Sequence, residues 1–264
     1  MTLRPSGVAA LSNLFTPNLF FIGGMRCGST TLNLLLSQHP EIFMSPIKEP
    51  MFWVAETMRL RNEDPTTRLS GRYIASDAYA GLFEDAGAAR WIGESSHYLY
   101  HPRVAGVLKQ ANPEAKILVC FRDPAERFFS EYLYYLRTNR FQGDLAEFIT
   151  MNNVEWNHQS GIIDVPPGSR LPKGMQAQHI KHWLDVFGQE NIHFIFFDEL
   201  ERDPLSVTEA IFGWLGVDDG FRPKLVHAQR GGDIRWFGNI QAPNSIKRQI
   251  KKFLPHLMIA RLRA

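Results

Sequence analysis

The sequence predicts a three-layer α/β sandwich, a central parallel sheet flanked by helices on both faces, and two observations carry that prediction. Short apolar runs suited to strands buried on both faces alternate with stretches of helical spacing, and no internal repeat or low-complexity linker breaks the alternation. The chain is also long enough, at 264 residues with 44% hydrophobic side chains, to bury a sizeable core. The same composition excludes disorder and collagen-like repeats, and two cysteines are too few for a disulfide scaffold. The whole of 1–264 reads as one domain, with a lead-in over 1–17 and a basic amphipathic helix over 244–264.

In chain order, the strand-like runs are 19–23, 90–93, 116–121 and 191–197. Helical spacing occupies 30–38, 104–111, 124–136, 176–187 and 205–215. The Pro/Gly-rich piece 161–174 reads as a flap or rim of a site, because the alternation continues on both sides of it. Near the end, Ile246, Ile250, Phe253, Leu254 and Leu257 recur at helical spacing among Lys247, Arg248, Lys251 and Lys252, with Pro255 interrupting. Such a helix packs on its own domain, attracts an anionic substrate, or lies as a peripheral element on an anionic membrane.

Charge divides the same way. The net charge of +2 combines six basic and no acidic residues in 244–264 with a body of 23 basic against 27 acidic, or −4. No run approaches the ~18 apolar residues of a membrane span, and the N-terminus carries no convincing signal pattern. With Cys27 and Cys120 too sparse to form a framework, a reducing cytoplasm is the expected compartment. Nothing points to nucleic acid, no cluster has metal-ligand spacing, and the sequence carries no signal for oligomeric state.

The most specific local feature is Phe20-Phe21-Ile22-Gly23-Gly24-Met25-Arg26-Cys27-Gly28-Ser29-Thr30-Thr31-Leu32, an apolar strand leading through a three-glycine loop into a helix. Glycines allow close approach of backbone N–H groups, and a helix N-terminus favours negative charge, so the loop suits an anion. Gly23 and Gly28 have the G-x-x-x-x-G spacing of the nucleoside-triphosphatase loop, which makes the fold P-loop-like, but Ser29 stands where that loop has lysine. Arg26 supplies charge from within instead. The alternative is an ordinary tight turn.

A second anion element follows the run at 116–121. In Arg122-Asp123-Pro124-Ala125-Glu126-Arg127, Asp123 is placed as N-cap and Pro124 as first helical residue, so a helix begins there. Arg122 then stands at a strand's carboxyl end, where parallel sheets bind ligands, and Ser130 lies about two turns along the helix. Alone, Arg122 and Arg127 read more readily as surface or salt-bridging arginines than as ligands.

These residues resemble the sulfotransferase family that uses 3′-phosphoadenosine 5′-phosphosulfate (PAPS), particularly its bacterial and Golgi heparan-sulfate-type members. Residues 23–32 are similar to the family's first motif, G-x-P-[KR]-[SG]-G-T-T-x-L, and 122–130 to its second, R-[DN]-P-x-x-R-x-x-S. Lys48-Glu49-Pro50-Met51-Phe52-Trp53, Gly93-Glu94-Ser95-Ser96-His97-Tyr98 and the segment 197–217 extend the resemblance in the right order.

The resemblance implies that Arg26, Cys27, Gly28, Ser29, Thr30 and Thr31 bind the 5′-phosphosulfate, and that Arg122 and Ser130 bind the 3′-phosphate in a separate cradle. It implies sulfuryl transfer to a hydroxyl, less readily an amine, of a small-molecule, carbohydrate or lipid acceptor, with adenosine 3′,5′-bisphosphate (PAP) released and no metal. Glu49 is the implied base and His97 its rival, the alternatives being a solvated Lys48–Glu49 pair and a histidine packed beside Tyr98. Pro50 is expected to hold Lys48-Glu49 extended, and Met51, Phe52 and Trp53 to raise the Glu49 pKa by desolvation. Arg26 would stabilise the departing phosphate, with Lys48 assisting at the substrate. Gln229-Arg230-Gly231-Gly232 weakly resembles the family's late nucleotide loop, which brings in Arg230 and Gly231. The competing readings are a nucleotide or small-molecule kinase, disfavoured by Ser29, and a non-catalytic nucleotide-binding protein with a membrane-associating tail.

Overall fold

Among the described residues five strands order the fold: β1 (Leu19–Phe21), β2 (Ile42–Met44), β3 (Trp91–Ser95), β4 (Lys116–Phe121) and β5 (Ile192–Phe196). They pair in parallel in the order β2-β3-β1-β4-β5. This computed structural model describes residues 15, 17–67, 69, 72–151 and 176–225. The 161–174 flap, Arg230, Gly231 and the 244–264 tail with its expected packing or membrane contact lie outside the described residues, as does nearly all of the 1–17 lead-in.

Helices fill both faces. They are α1 (Ser29–Leu36), α2 (Phe52–Arg59), α3 (Ser76–Ala80), α4 (Pro102–Ala111), α5 (Pro124–Arg137), α6 (Leu145–Met151), α7 (Gln176–Phe187), α8 (Phe197–Arg202) and α9 (Pro204–Leu215). Side chains alternate across a strand, and the two cores show it directly. Phe20, Ile117, Val119 and Phe121 face the layer containing α2, α4 and α7. Leu19, Phe21, Leu118 and Cys120 face α1 and α9. Each large apolar side chain so buried contributes about 1.5–3 kcal/mol, which is why β4 reads as a continuous apolar run.

The expected strands and helices fall within a few residues of where the sequence put them, and the structure adds β2, α2, α3, α6 and α8. β2 is an edge strand of three residues, too short for a periodic signal, and α2 starts within the segment read only as a motif. Phe197 opens α8 rather than closing β5, because Asp198 and Glu199 suit a helical first turn. The cap at Asp123 is as expected: its side chain accepts from the backbone N–H groups of Ala125 and Glu126 at 2.9 and 3.0 Å, starting α5 directly after Arg122.

With β3, β1 and β4 adjacent, the loops leaving their carboxyl ends open on one edge, where open parallel sheets place their ligands.

Candidate active site

The loop after β1 is shaped by two left-handed residues, Arg26 at φ 64° and Gly28 at φ 79°. Gly28 is the N-cap of α1, and a Cβ there would also lie 2.9 Å from Leu200 Cδ2, so both conformation and space demand glycine. No side chain caps α1 and no acid occupies its first turn, and the first N–H to reach a carbonyl is that of Leu32, to Gly28 O at 3.1 Å. The N–H groups of Ser29, Thr30 and Thr31 have no intrahelical acceptor by geometry, so they are available to an anion. Cys27 is fully buried, its thiol pushed up to about 11 by desolvation, and it can serve the site only through its backbone.

Three cations converge on this loop. Lys48 reaches it from the segment after β2, donating through Nζ to Ser29 Oγ at 2.9 Å and Thr30 Oγ1 at 3.0 Å. The ammonium absent from the loop's own sequence is thus provided from elsewhere. Arg26 turns the other way, donating through Nε to Ser130 Oγ at 3.2 Å, with its guanidinium 5.0 Å from the Tyr134 ring centroid. Arg122 donates through Nη1 to Arg26 O at 3.0 Å and lies 4.2 Å from the Phe197 ring centroid. The two expected cradles are therefore joined, each reaching into the other.

Burial lowers the pKa of all three cations, and for Arg26 the charges of Arg137 and Arg122 lower it further. Arg122 Nε is buried without a hydrogen-bond partner. Desolvated, mutually repelling cations with a spare donor fit a ligand carrying more than one phosphate-like group.

Two contributors carry no sequence signal. Gln176, buried at the start of α7, accepts from the Arg122 N–H at 3.3 Å and donates to Arg122 O at 2.8 Å, fixing the backbone of the arginine. Arg137 shares the Tyr134 ring with Arg26, 5.5 Å from its centroid. Arg127, by contrast, serves the core, fully buried in an ion pair with Glu131 at 2.8 Å.

At the end of β3, Glu49 and His97 are partners rather than rivals: His97 Nε2 lies 2.8 Å from Glu49 Oε1. Glu49 is not extended as Pro50 suggested. Its φ is 59°, held by donation of its N–H to Ser95 O at 2.8 Å and by the His97 contact. A non-glycine residue in this region stores about 1–2 kcal/mol of strain, a cost found where structure serves a site. The expected rise in its pKa is also overturned. Desolvation does raise it, but the hydrogen bond and charge of His97 and the charge of Lys48 outweigh that and hold the carboxylate below its ordinary value. Phe52 and Trp53 point into the core instead of covering it.

A family model described as Sulfotransferase family matches residues 17–221. Carbohydrate sulfotransferase 15 of Rattus norvegicus is 25% identical over 251 residues, covering 76% of this chain and 44% of that protein. The membrane-associated sulfotransferase kil1 of Dictyostelium discoideum is 29% identical, covering 81% of this chain and 59% of that protein. The chain thus spans about half the length of these relatives. Among solved structures, a sulfotransferase from Alicyclobacillus acidocaldarius has a TM-score of 0.73 at 28% identity, covering 91% of this chain and 92% of that one.

The membrane-associated relative corrects the expectation of a reducing cytoplasm. That expectation leaned on unpaired cysteines, yet Cys27 and Cys120 are both fully buried, so their unpaired state reports core packing and not redox compartment. Among the described residues no helix is long and apolar enough to cross a membrane. Motifs, sheet order and family model agree over the same stretch, and the chain belongs to the sulfotransferase family.

Proposed function

We propose that this chain transfers the sulfuryl group of PAPS to a carbohydrate hydroxyl, leaving PAP. The observation that carries this reading is the divergence of two adjacent side chains. Lys48 places its ammonium on Ser29 and Thr30 at the start of α1, while Glu49 turns its carboxylate to His97. A cation for the departing phosphate therefore stands beside a base for the incoming hydroxyl, the two requirements of an in-line displacement.

PAPS supplies the activated sulfuryl group, and the chain's residues bind it, neutralise charge and take a proton. Arg26, Lys48 and the α1 N-terminus at Gly28, Ser29, Thr30 and Thr31 hold the 5′-phosphosulfate. Arg122, with its spare Nε donor, and Ser130 hold the 3′-phosphate. Arg26 is a permanent cation, so its contribution is electrostatic. Glu49 takes the acceptor proton on Oε2, which has no partner among the described residues, and its side chain is 44% exposed and open to an acceptor. His97, donating through Nε2, fixes the carboxylate in place.

The carbohydrate class of the acceptor is supported by the matched carbohydrate sulfotransferase. Ser29 no longer argues against a kinase, because Lys48 restores the loop's cation; membership of the sulfotransferase family does.

The test is labelled sulfate transfer from PAPS to oligosaccharides at saturating PAPS, comparing Glu49→Gln with His97→Ala. Loss of the base lowers turnover by roughly 10²- to 10⁴-fold with PAP binding intact. Near wild-type turnover of Glu49→Gln removes Glu49 from the role.

A further inference from the structure

Behind the Glu49–His97 pair, Glu94 of β3 is 0% exposed and has no part in the chemistry above. Tyr79 of α3 donates to its Oε1 at 2.8 Å, and Tyr98, just past β3, donates to the same oxygen at 2.9 Å. Ser96 Oγ lies 2.8 Å from Oε2. Trp53 of α2 sets the direction of these bonds. Its indole N–H donates to the Tyr79 hydroxyl at 3.0 Å and its backbone N–H to the Tyr98 hydroxyl at 3.4 Å.

An N–H only donates, so each phenol accepts from Trp53 and spends its single proton on Glu94. Oε1, with two donors on it, is the unprotonated oxygen. Ser96 Oγ donates to Oε2 of the carboxylate, and a neutral Glu94 carries its proton on that oxygen, where the serine hydroxyl rotates to accept it. Tyr79, Tyr98, Ser96 and Trp53 face the carboxyl, with Phe20 beside it on β1, and among the described residues no cation lies within ion-pair distance. Burial, opposed by the three hydroxyls, pushes this carboxyl up to about 7.

The same strand end holds the proposed base. Ser95 O accepts the Glu49 N–H at 2.8 Å, Ser96 N–H is tied to Phe21 O at 3.1 Å, and His97 meets Glu49 Oε1. We propose that Glu94 is a positioning residue for the Glu49–His97 pair. Its cluster of two phenols and one serine clamps residues 95–98 between α2 and α3, so that Ser95 O and His97 hold Glu49 in its left-handed conformation. This inference rests on Glu49 as the base.

Sulfate transfer is measured for Glu94→Ala, Glu94→Gln, Tyr98→Phe and, in parallel, Glu49→Gln. Loosening the clamp in Glu94→Ala lowers kcat about tenfold or more, with the KM for PAPS within about twofold of wild type. Glu94→Gln, whose amide accepts both phenols and donates to Ser96, keeps kcat within about threefold. If Glu94→Ala does not fold, Tyr98→Phe carries the test, lowering kcat without changing the KM for PAPS. The inference is overturned if Glu94→Ala and Tyr98→Phe turn over like wild type, or if Glu94→Gln falls as far as Glu94→Ala. A dead Glu49→Gln beside normal Glu94 variants defeats the positioning role alone, whereas an active Glu49→Gln defeats the base it rests on.

Discussion

Around the ends of β1 and β4 stand three cations, Arg26, Lys48 and Arg122, held by hydroxyls and a carbonyl, with no acid in ion-pair contact among the described residues. At the end of β3 the acids already have their donors: Glu49 has His97, and Glu94 has Tyr79, Tyr98 and Ser96. The cationic side keeps its charges desolvated and repelling, and a polyanionic ligand relieves that cost on binding. The acidic side is satisfied before any ligand arrives, so on the proposed function it is expected to contribute geometry to turnover and little to nucleotide affinity.

Substitutions separate the two sides. The largest effect is expected from Glu49→Gln, which should lower turnover by roughly 10²- to 10⁴-fold while calorimetry shows unchanged PAP affinity; a parallel loss of affinity would merge the two sides.

Glu94→Gln tests how far the acidic side is satisfied. Because the folded protein raises this carboxyl from 4.5 to about 7, its neutral form stabilises the fold fully below the unfolded value, and that stability is lost as pH rises through the folded one. The loss is about 3 kcal/mol between roughly pH 4.5 and 7, and Glu94→Gln should lack it. Chemical denaturation of both proteins across that range checks the slope, and parallel curves would contradict it.

Arg122→Ala should weaken PAP roughly tenfold to a hundredfold and leave adenosine 5′-phosphate binding nearly unchanged. An equal loss for both nucleotides would take Arg122 off the 3′-phosphate.

His97→Ala removes the hydrogen bond and charge that hold Glu49 down, leaving desolvation to act alone. The acid limb of kcat/KM should therefore move to higher pH than in the wild type. A limb that stays in place would break the pairing. The smallest effect is that of Asp123→Ala, which removes the cap of α5 and should cost ~1 kcal/mol in thermal or denaturant unfolding.

Local features were legible in the sequence. The apolar run of β4, the Asp123-Pro124 helix start and the glycine loop before α1 each depend on residues within a few positions of one another, where propensity and backbone geometry act directly. The three-residue β2 was not, because its pairing with β3 makes it a strand and its own sequence does not. The resemblance named Glu49 and His97 without revealing that they touch, and it set Lys48 beside Glu49 without showing that the two point apart.

By itself the sequence determined the α/β alternation, the placement of Arg26 and Arg122 at two strand ends, and the family. Tertiary structure alone decided that Lys48 supplies the cation at Ser29, that Gln176 braces Arg122, that Arg26 bridges to Ser130, and that Glu49 pairs with His97 above a buried Glu94. The physical reason is the sheet order. It sets the end of β2 beside β3 and the end of β1 between β3 and β4, so partners distant in the chain meet at one edge.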